Sequence, residues 1–235
     1  LVMASTALRN GCPEAMRCEV AEAEYMAAVG RYTAEQARTM AQLSAVTVEA
    51  LEAGPHDLLG RVFHELELHN SAMGQFFTPY DLCRAMARIN GFERPADGRI
   101  LTACEPACGS GATMIALHEI ALEGGFADRV YYELTDLDDR AFRMAYIQCT
   151  LLGMAARVVR GDTLRMRFDR EWFTAGYYLH NMAHRRRRTD SVAACEAARE
   201  LIGGDDVPDA RGDFAVDSDA VDSAESSVGQ LCFDF

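Results

Sequence analysis

Three stretches of the chain, "RILTACEP", "RVYYELTDL" and "ARVVRGD", carry a carboxylate at or one residue before their ends: Glu105, Asp136 and Asp162. The first runs straight into "EPACGSGATM", where Gly109 and Gly111 let bare backbone approach a ligand and a following helix adds partial positive charge at its N-terminus. Taken alone, such a turn reads equally as close packing between a helix and a strand. It is not a phosphate loop, because Gly-x-x-x-x-Gly-Lys-Ser/Thr is absent and Glu105 would repel phosphate. A carboxylate there suits an ammonium or sulfonium cation. Asp136, at the tip of the second segment, is placed to accept hydrogen bonds from a ribose diol, with Leu137 against a base. Asp138 and Asp139 read as caps of the next helix. Asp162 can take a hydrogen bond from the exocyclic amine of adenine, with Leu164 on the ring face. A nucleoside without phosphate that carries a cationic amino-acid tail suits all three ends, and that ligand is S-adenosylmethionine.

These positions need strands to deliver them. From residue 99 the pattern alternates strand-like segments with helical stretches at 111–123 and 139–153, which predicts a parallel sheet wrapped by helices. "EWFTAGYYL" reads as a fourth strand and "SVAACEAARELIGG" as a final helix. Upstream, residues 14–53 read as helix, with a Thr33/Gln36 capping box and a stop at Gly54-Pro55. Asp57 caps a further amphipathic helix, "DLLGRVFHELELHN". Then "GQFFTPYDLCRAMARING" gives a loop at Thr78-Pro79 and a short helix.

Composition narrows the setting. The net charge is −13, but residues 203–235 hold nine acidic side chains against Arg211, so the tail carries −8 and the rest −5. The body is only mildly acidic, and charge alone does not announce a nucleic-acid binder. All 23 basic residues are arginine, which reads as a compositional bias. The tail is small-residue rich and reads as a disordered linker. Eight cysteines form no Cys-x-x-Cys pair, so buried free thiols are expected and no metal site. No leader and no membrane span are expected, and a cytoplasmic protein is predicted.

"DLLGRVFHELELHNSAMGQFFTP", "EPACGSGATM", "LTDLDDRAFRMAYIQCTLLGM" and "GDTL", in this order over residues 55–165, resemble the DNA N6-adenine methyltransferases, especially the modification subunits of type I restriction systems. The resemblance implies a Rossmann-like, S-adenosylmethionine-dependent methyltransferase fold, α/β with a parallel sheet flanked by helices, and DNA as substrate. It implies cofactor contacts from Phe76, Phe77 and Thr78 at the methionine end, and from Glu105, Ala107, Gly109 and Gly111 in the turn. It also assigns the ribose to Asp136 and adenine to Asp162. A specificity or restriction subunit is an implied partner. The expected organisation is a helical segment over 1–75, a cofactor-binding domain over 76–202 and an acidic tail over 203–235.

The sequence departs from that family in its catalytic half. An Asn/Asp-Pro-Pro-Tyr/Phe tetrad, which in the family holds the flipped target adenine, is missing: the six prolines include no adjacent pair. In its place stands "EWFTAGYYLHNMAHRRRR", where Asn181 is the nearest amide. Trp172, Tyr177 and Tyr178 could stack on a base or fill the core, and Arg185–Arg188 could meet phosphates or water. The sheet is also expected to be truncated. Two function classes follow, an adenine methylase using another amide or a partner subunit, and a cofactor-binding pseudo-methylase acting as a decoy or regulator; a third is a methylase for a substrate other than DNA. The terminal Gln230-Leu231-Cys232-Phe233-Asp234-Phe235 resembles the short peptides that dock on the bacterial sliding clamp. It could instead fold back on its own chain, or have no role.

Overall fold

A computed structural model describes residues 1–11, 19–66, 78–89, 92–95 and 98–190. The proposed tail peptide Gln230–Phe235, the helix expected at "SVAACEAARELIGG", and Phe76 and Phe77 lie outside these residues. The chain divides into two compact units, Leu1–His180 and Asn181–Phe235. In the second, residues 182–190 are helical.

The first unit opens with helices α1 (Val2–Asn10), α2 (Glu19–Val29) and α3 (Ala34–Glu52). The Thr33 capping box is formed as read: Gln36 N donates to the Thr33 hydroxyl at 3.2 Å and Thr33 N donates to the Gln36 side chain at 2.9 Å. Helix α4 (Leu58–Glu65) is capped by Asp57, whose Oδ1 accepts from Gly60 N at 3.0 Å. Helix α5 (Tyr80–Ile89) then leads to the alternating region: β1 (Leu101–Glu105), α6 (Ala112–Glu123), β2 (Val130–Asp136), α7 (Asp139–Leu151), β3 (Ala156–Asp162), β4 (Arg167–Phe173) and α8 (Ala175–Leu179).

The strands lie in the order β1-β2-β3-β4. The first three are parallel, with Leu101 opposite Val130 and Tyr132 opposite Ala156. Strand β2 is buried on both faces: Val130, Tyr131, Tyr132 and Leu134 are closed to solvent. Successive side chains face opposite sides, so Tyr132 joins the core with Met114, Ile115, Phe142 and Cys149 while Tyr131 meets the Tyr177 ring at 5.8 Å. The mostly parallel, helix-flanked sheet has the predicted methyltransferase-like class.

The fourth strand differs from the expectation in both span and direction. It ends at Phe173 and returns antiparallel along β3, with a bulge at Arg160/Gly161, while Ala175–Leu179 is helical. The buried Thr174 explains the break. Its hydroxyl donates to Met154 O at 2.6 Å and accepts from Ala156 N at 2.9 Å, anchoring the turn to the start of β3. Gly176 then seats so close that a Cβ would meet Gly153 O and Met154 O at 2.5 Å. Aromatic residues that suit a strand instead stack locally, Phe173 on Tyr177 at 4.5 Å.

The N-terminal helices are held by charge. Arg143, 1% exposed, donates to Asp139 at 2.6 Å and to the Ser5 hydroxyl at 3.0 Å, and pairs with Glu24. Asp139 also meets Arg160 at 2.8 Å and Arg170 at 3.2 Å. Burial pushes the Asp139 carboxyl up, but these arginines outweigh it and hold it below the usual carboxylate range. Trp172 is core rather than a base platform: it packs on Phe142 and Tyr146 at 4.9 and 5.0 Å, under the guanidiniums of Arg9, Arg143 and Arg170. Cys83, Cys108 and Cys149 are buried free thiols, and burial pushes Cys149 to about 12. Among the described residues no helix is long and apolar enough to cross a membrane, and no cluster could hold a metal ion.

His118 supplies a test of this core. It is buried against the Tyr132 hydroxyl at 3.1 Å, and burial lowers its pKa from 6.5 to about 4. The unfolded chain therefore binds a proton that the folded chain refuses between those two values. Stability is lost as pH falls through that window, by about 2–3 kcal/mol. Urea unfolding at pH 7 and pH 4.5 should show this loss in the natural chain, and His118→Gln should lose less by about that amount. Equal losses in both proteins would contradict it.

Candidate functional site

The carboxyl ends of β1, β2 and β3 form one edge, where open parallel sheets receive ligands. Glu105 pairs with Leu134, two residues short of Asp136, and Asp136 pairs with Arg160, two short of Asp162. Strands β2 and β3 thus each carry their acid two residues beyond the pairing partner of the preceding strand's acid. Adjacent strands lie about 4.8 Å apart, so the three acids step along the edge.

The turn after β1 lies on the end of β2. Cys108 N donates to Thr135 O at 2.9 Å, and Gly111 N closes the turn on Cys108 O at 2.8 Å. Gly109 and Gly111 have φ of 56° and 96°, a left-handed backbone that glycine adopts without a Cβ penalty. Glu105 accepts from Ala107 N at 3.3 Å.

Asp136 joins two loops. Its Oδ2 accepts from Gly109 N at 2.8 Å and its Oδ1 from Asp138 N at 2.9 Å. Burial raises its pKa, and the backbone N–H groups of Asp138, Gly109 and Leu137 work against that rise. A carboxylate has about four lone-pair sites, so each oxygen keeps capacity for a further donor, the arrangement that a vicinal diol requires. On β3, Asp162 accepts from Arg165 N at 2.9 Å, and the Thr163 hydroxyl donates to Pro106 O at 2.9 Å. All three loops are therefore linked. Leu137 and Leu164 stand exposed among them, Leu164 at 98%.

The structure thus brings Glu105, Ala107, Gly109, Gly111, Asp136, Leu137, Asp162 and Leu164 to one edge. Thr78 is exposed just before α5. Asn181 lies in the second compact unit with φ of 48°, at the start of the 182–190 helix, and is exposed.

Sequence reasoning missed what holds the turn in place. Asp57, read only as a helix cap, is 7% exposed, and its Oδ2 accepts from the Ser110 hydroxyl at 2.7 Å. Its Oδ1 takes the amide of the fully buried Gln148 at 2.9 Å. Gln148 also donates to Ser110 O at 2.9 Å and accepts from Leu59 N at 2.9 Å. A signal was present: Gln148 is the one amide among the apolar residues from Met144 to Cys149 of α7. Gly60 makes room for the cluster, since a Cβ there would meet Asp57 Oδ2 at 2.1 Å and Ser110 Oγ at 2.3 Å. Gly60→Ala should therefore destabilise the chain by about 1–3 kcal/mol, far more than the same change on an open helix face. A melting temperature equal to that of the natural chain would show that the cluster is not rigid.

Residues 56–183 match the family model described as N-6 DNA Methylase. No curated protein and no solved structure matches the chain.

Proposed function

The chain belongs to the N-6 DNA methylase family, and from that membership and the sheet edge we propose that it binds S-adenosylmethionine for methyl transfer to adenine N6 in DNA. The observation that carries the reading is the Asp136 carboxylate, fixed by Gly109 N and Asp138 N with acceptor capacity left over. In this reading Asp136 takes the ribose hydroxyls, and Asp162 the adenine amine between Leu137 and Leu164. Glu105 and the glycine turn face the methionine end, with Phe76, Phe77 and Thr78 completing that side by resemblance. The cofactor supplies a methyl group activated by its sulfonium; the chain's own part is to hold and orient it.

A second reading is supported by the missing tetrad. No Pro-Pro pair occurs anywhere in the chain. After β4 the chain enters a turn whose Thr174 hydroxyl is already engaged with Met154 and Ala156. The chain by itself then binds cofactor and lacks the amide–aromatic clamp for a flipped adenine. A partner polypeptide, such as a specificity or restriction subunit, supplies that clamp, or the protein serves as a non-catalytic regulator. Docking of Gln230–Phe235 on a sliding clamp belongs to this second reading.

Two measurements separate these statements. Asp136→Ala should weaken S-adenosylmethionine binding by about 1–3 kcal/mol in calorimetry, the scale for a buried polar partner removed. No binding by the natural chain, or equal affinity in the variant, sinks the cofactor assignment. The purified chain alone should transfer little labelled methyl group to DNA. Efficient N6-methyladenine formation without a partner would refute the second reading and direct mutagenesis to Asn181.

A further inference from the structure

The hairpin between β3 and β4 combines exposed apolar and basic side chains. Over the turn Thr163–Met166 and the first two residues of β4, Arg167 and Phe168, the stretch "TLRMRF" carries two arginines and three large apolar side chains, with Asp162 and Asp169 flanking it. Leu164, Met166 and Phe168 are 98%, 70% and 43% exposed. Arg167 makes no ion pair among the described residues, and Arg165 reaches Asp162 only at 3.4 Å with its side chain 77% exposed. Met166 holds a left-handed φ of 52°, which is costly for a residue with a Cβ.

The hairpin is also aimed. A bulge at Arg160/Gly161 redirects β3, and it needs Gly161, because a Cβ there would meet Arg167 O at 2.5 Å and the Phe168 ring at 2.6 Å. Its base is tied to the glycine turn by the hydrogen bond from the Thr163 hydroxyl to Pro106 O. A strained, apolar and basic tip is therefore fixed beside the three acids rather than left to swing.

We propose that this hairpin tip is a DNA contact of the methyl-transfer edge, in which Arg165 and Arg167 meet backbone phosphates while Met166 and Phe168 press against the bases. The proposal rests on the function argued above for the same edge. The chemistry favours nucleic acid over a protein partner. Arginines alternating with apolar groups match a surface of phosphates flanking base faces, and apolar wedges of this kind enter base steps in known architectures.

The test uses the full chain and labelled duplex and single-stranded oligonucleotides, with binding followed by fluorescence anisotropy across a salt series. Arg167→Gln should reduce the slope of log affinity against log salt by about 0.9, and adding Arg165→Gln should remove about as much again. Met166→Ser should weaken binding severalfold with the slope unchanged, because it removes no charge. Melting temperatures should match the natural chain, since all three side chains are exposed. Unchanged affinity and slope in the double arginine variant would overturn the proposal, as would loss of a protein partner with DNA binding intact. Calorimetry with S-adenosylmethionine on Arg167→Gln keeps the two readings apart. Cofactor affinity should be retained there, whereas a natural chain that binds DNA through the hairpin but takes no cofactor would overturn the proposed function alone.

Discussion

The buried Asp57 side chain must have its oxygens met by donors, because polar groups left without partners away from water cost several kcal/mol. In this chain the donors come from three places: Gly60 N in its own helix, the Ser110 hydroxyl in the glycine turn and the Gln148 amide in α7. That requirement fixes the N-terminus of α4 against the turn and the turn against the helix following β2. The prospective ligand edge is thus shaped by a demand for satisfied hydrogen bonds, not by apolar packing alone. Such a network is demanding in both directions. Complete, it specifies one arrangement; with one member removed, the others are left buried without partners.

The consequence for function lies in preorganisation. Gly109 donates to Asp136, and its neighbour Ser110 is held by Gln148. The Thr163–Pro106 link then joins the β3 loop to the same turn. A ligand arriving at this edge meets acceptors that are already oriented, and so does not have to order the loops as it binds. The charge network around Arg143 does similar work at the N-terminus of α7, fastening α1 and α2 to that helix through Ser5, Glu24 and Asp139.

Local chemistry made part of this legible. The Thr33 box and the Asp57 cap depend on residues three apart, and both formed as read. The acids Glu105, Asp136 and Asp162 sit at the ends of short apolar runs, so strand periodicity placed them at one edge. What escaped was long-range or two-sided. Nothing within a few residues of Gln148 announces a partner in Asp57, and nothing near Arg143 announces Ser5. The segment "EWFTAGYYL" carries strong strand propensity, yet the Thr174 hydroxyl and the close seat of Gly176 against Gly153 end the strand there. The antiparallel return of β4 was hidden for a related reason: its bulge at Gly161 is set by contact with Phe168, not by periodicity. Tertiary contacts overrode propensity at both places.

The central claim is that the linked loops at the ends of β1, β2 and β3 receive S-adenosylmethionine. Amide hydrogen exchange with and without the cofactor tests it most directly, because the donors to Asp136 and Asp162 are themselves backbone amides. The account predicts slower exchange on cofactor addition at Gly109, Asp138 and Arg165, with the helices α1 to α3 unchanged. Unaltered exchange at those three amides at saturating cofactor, or protection confined to another part of the chain, would contradict it.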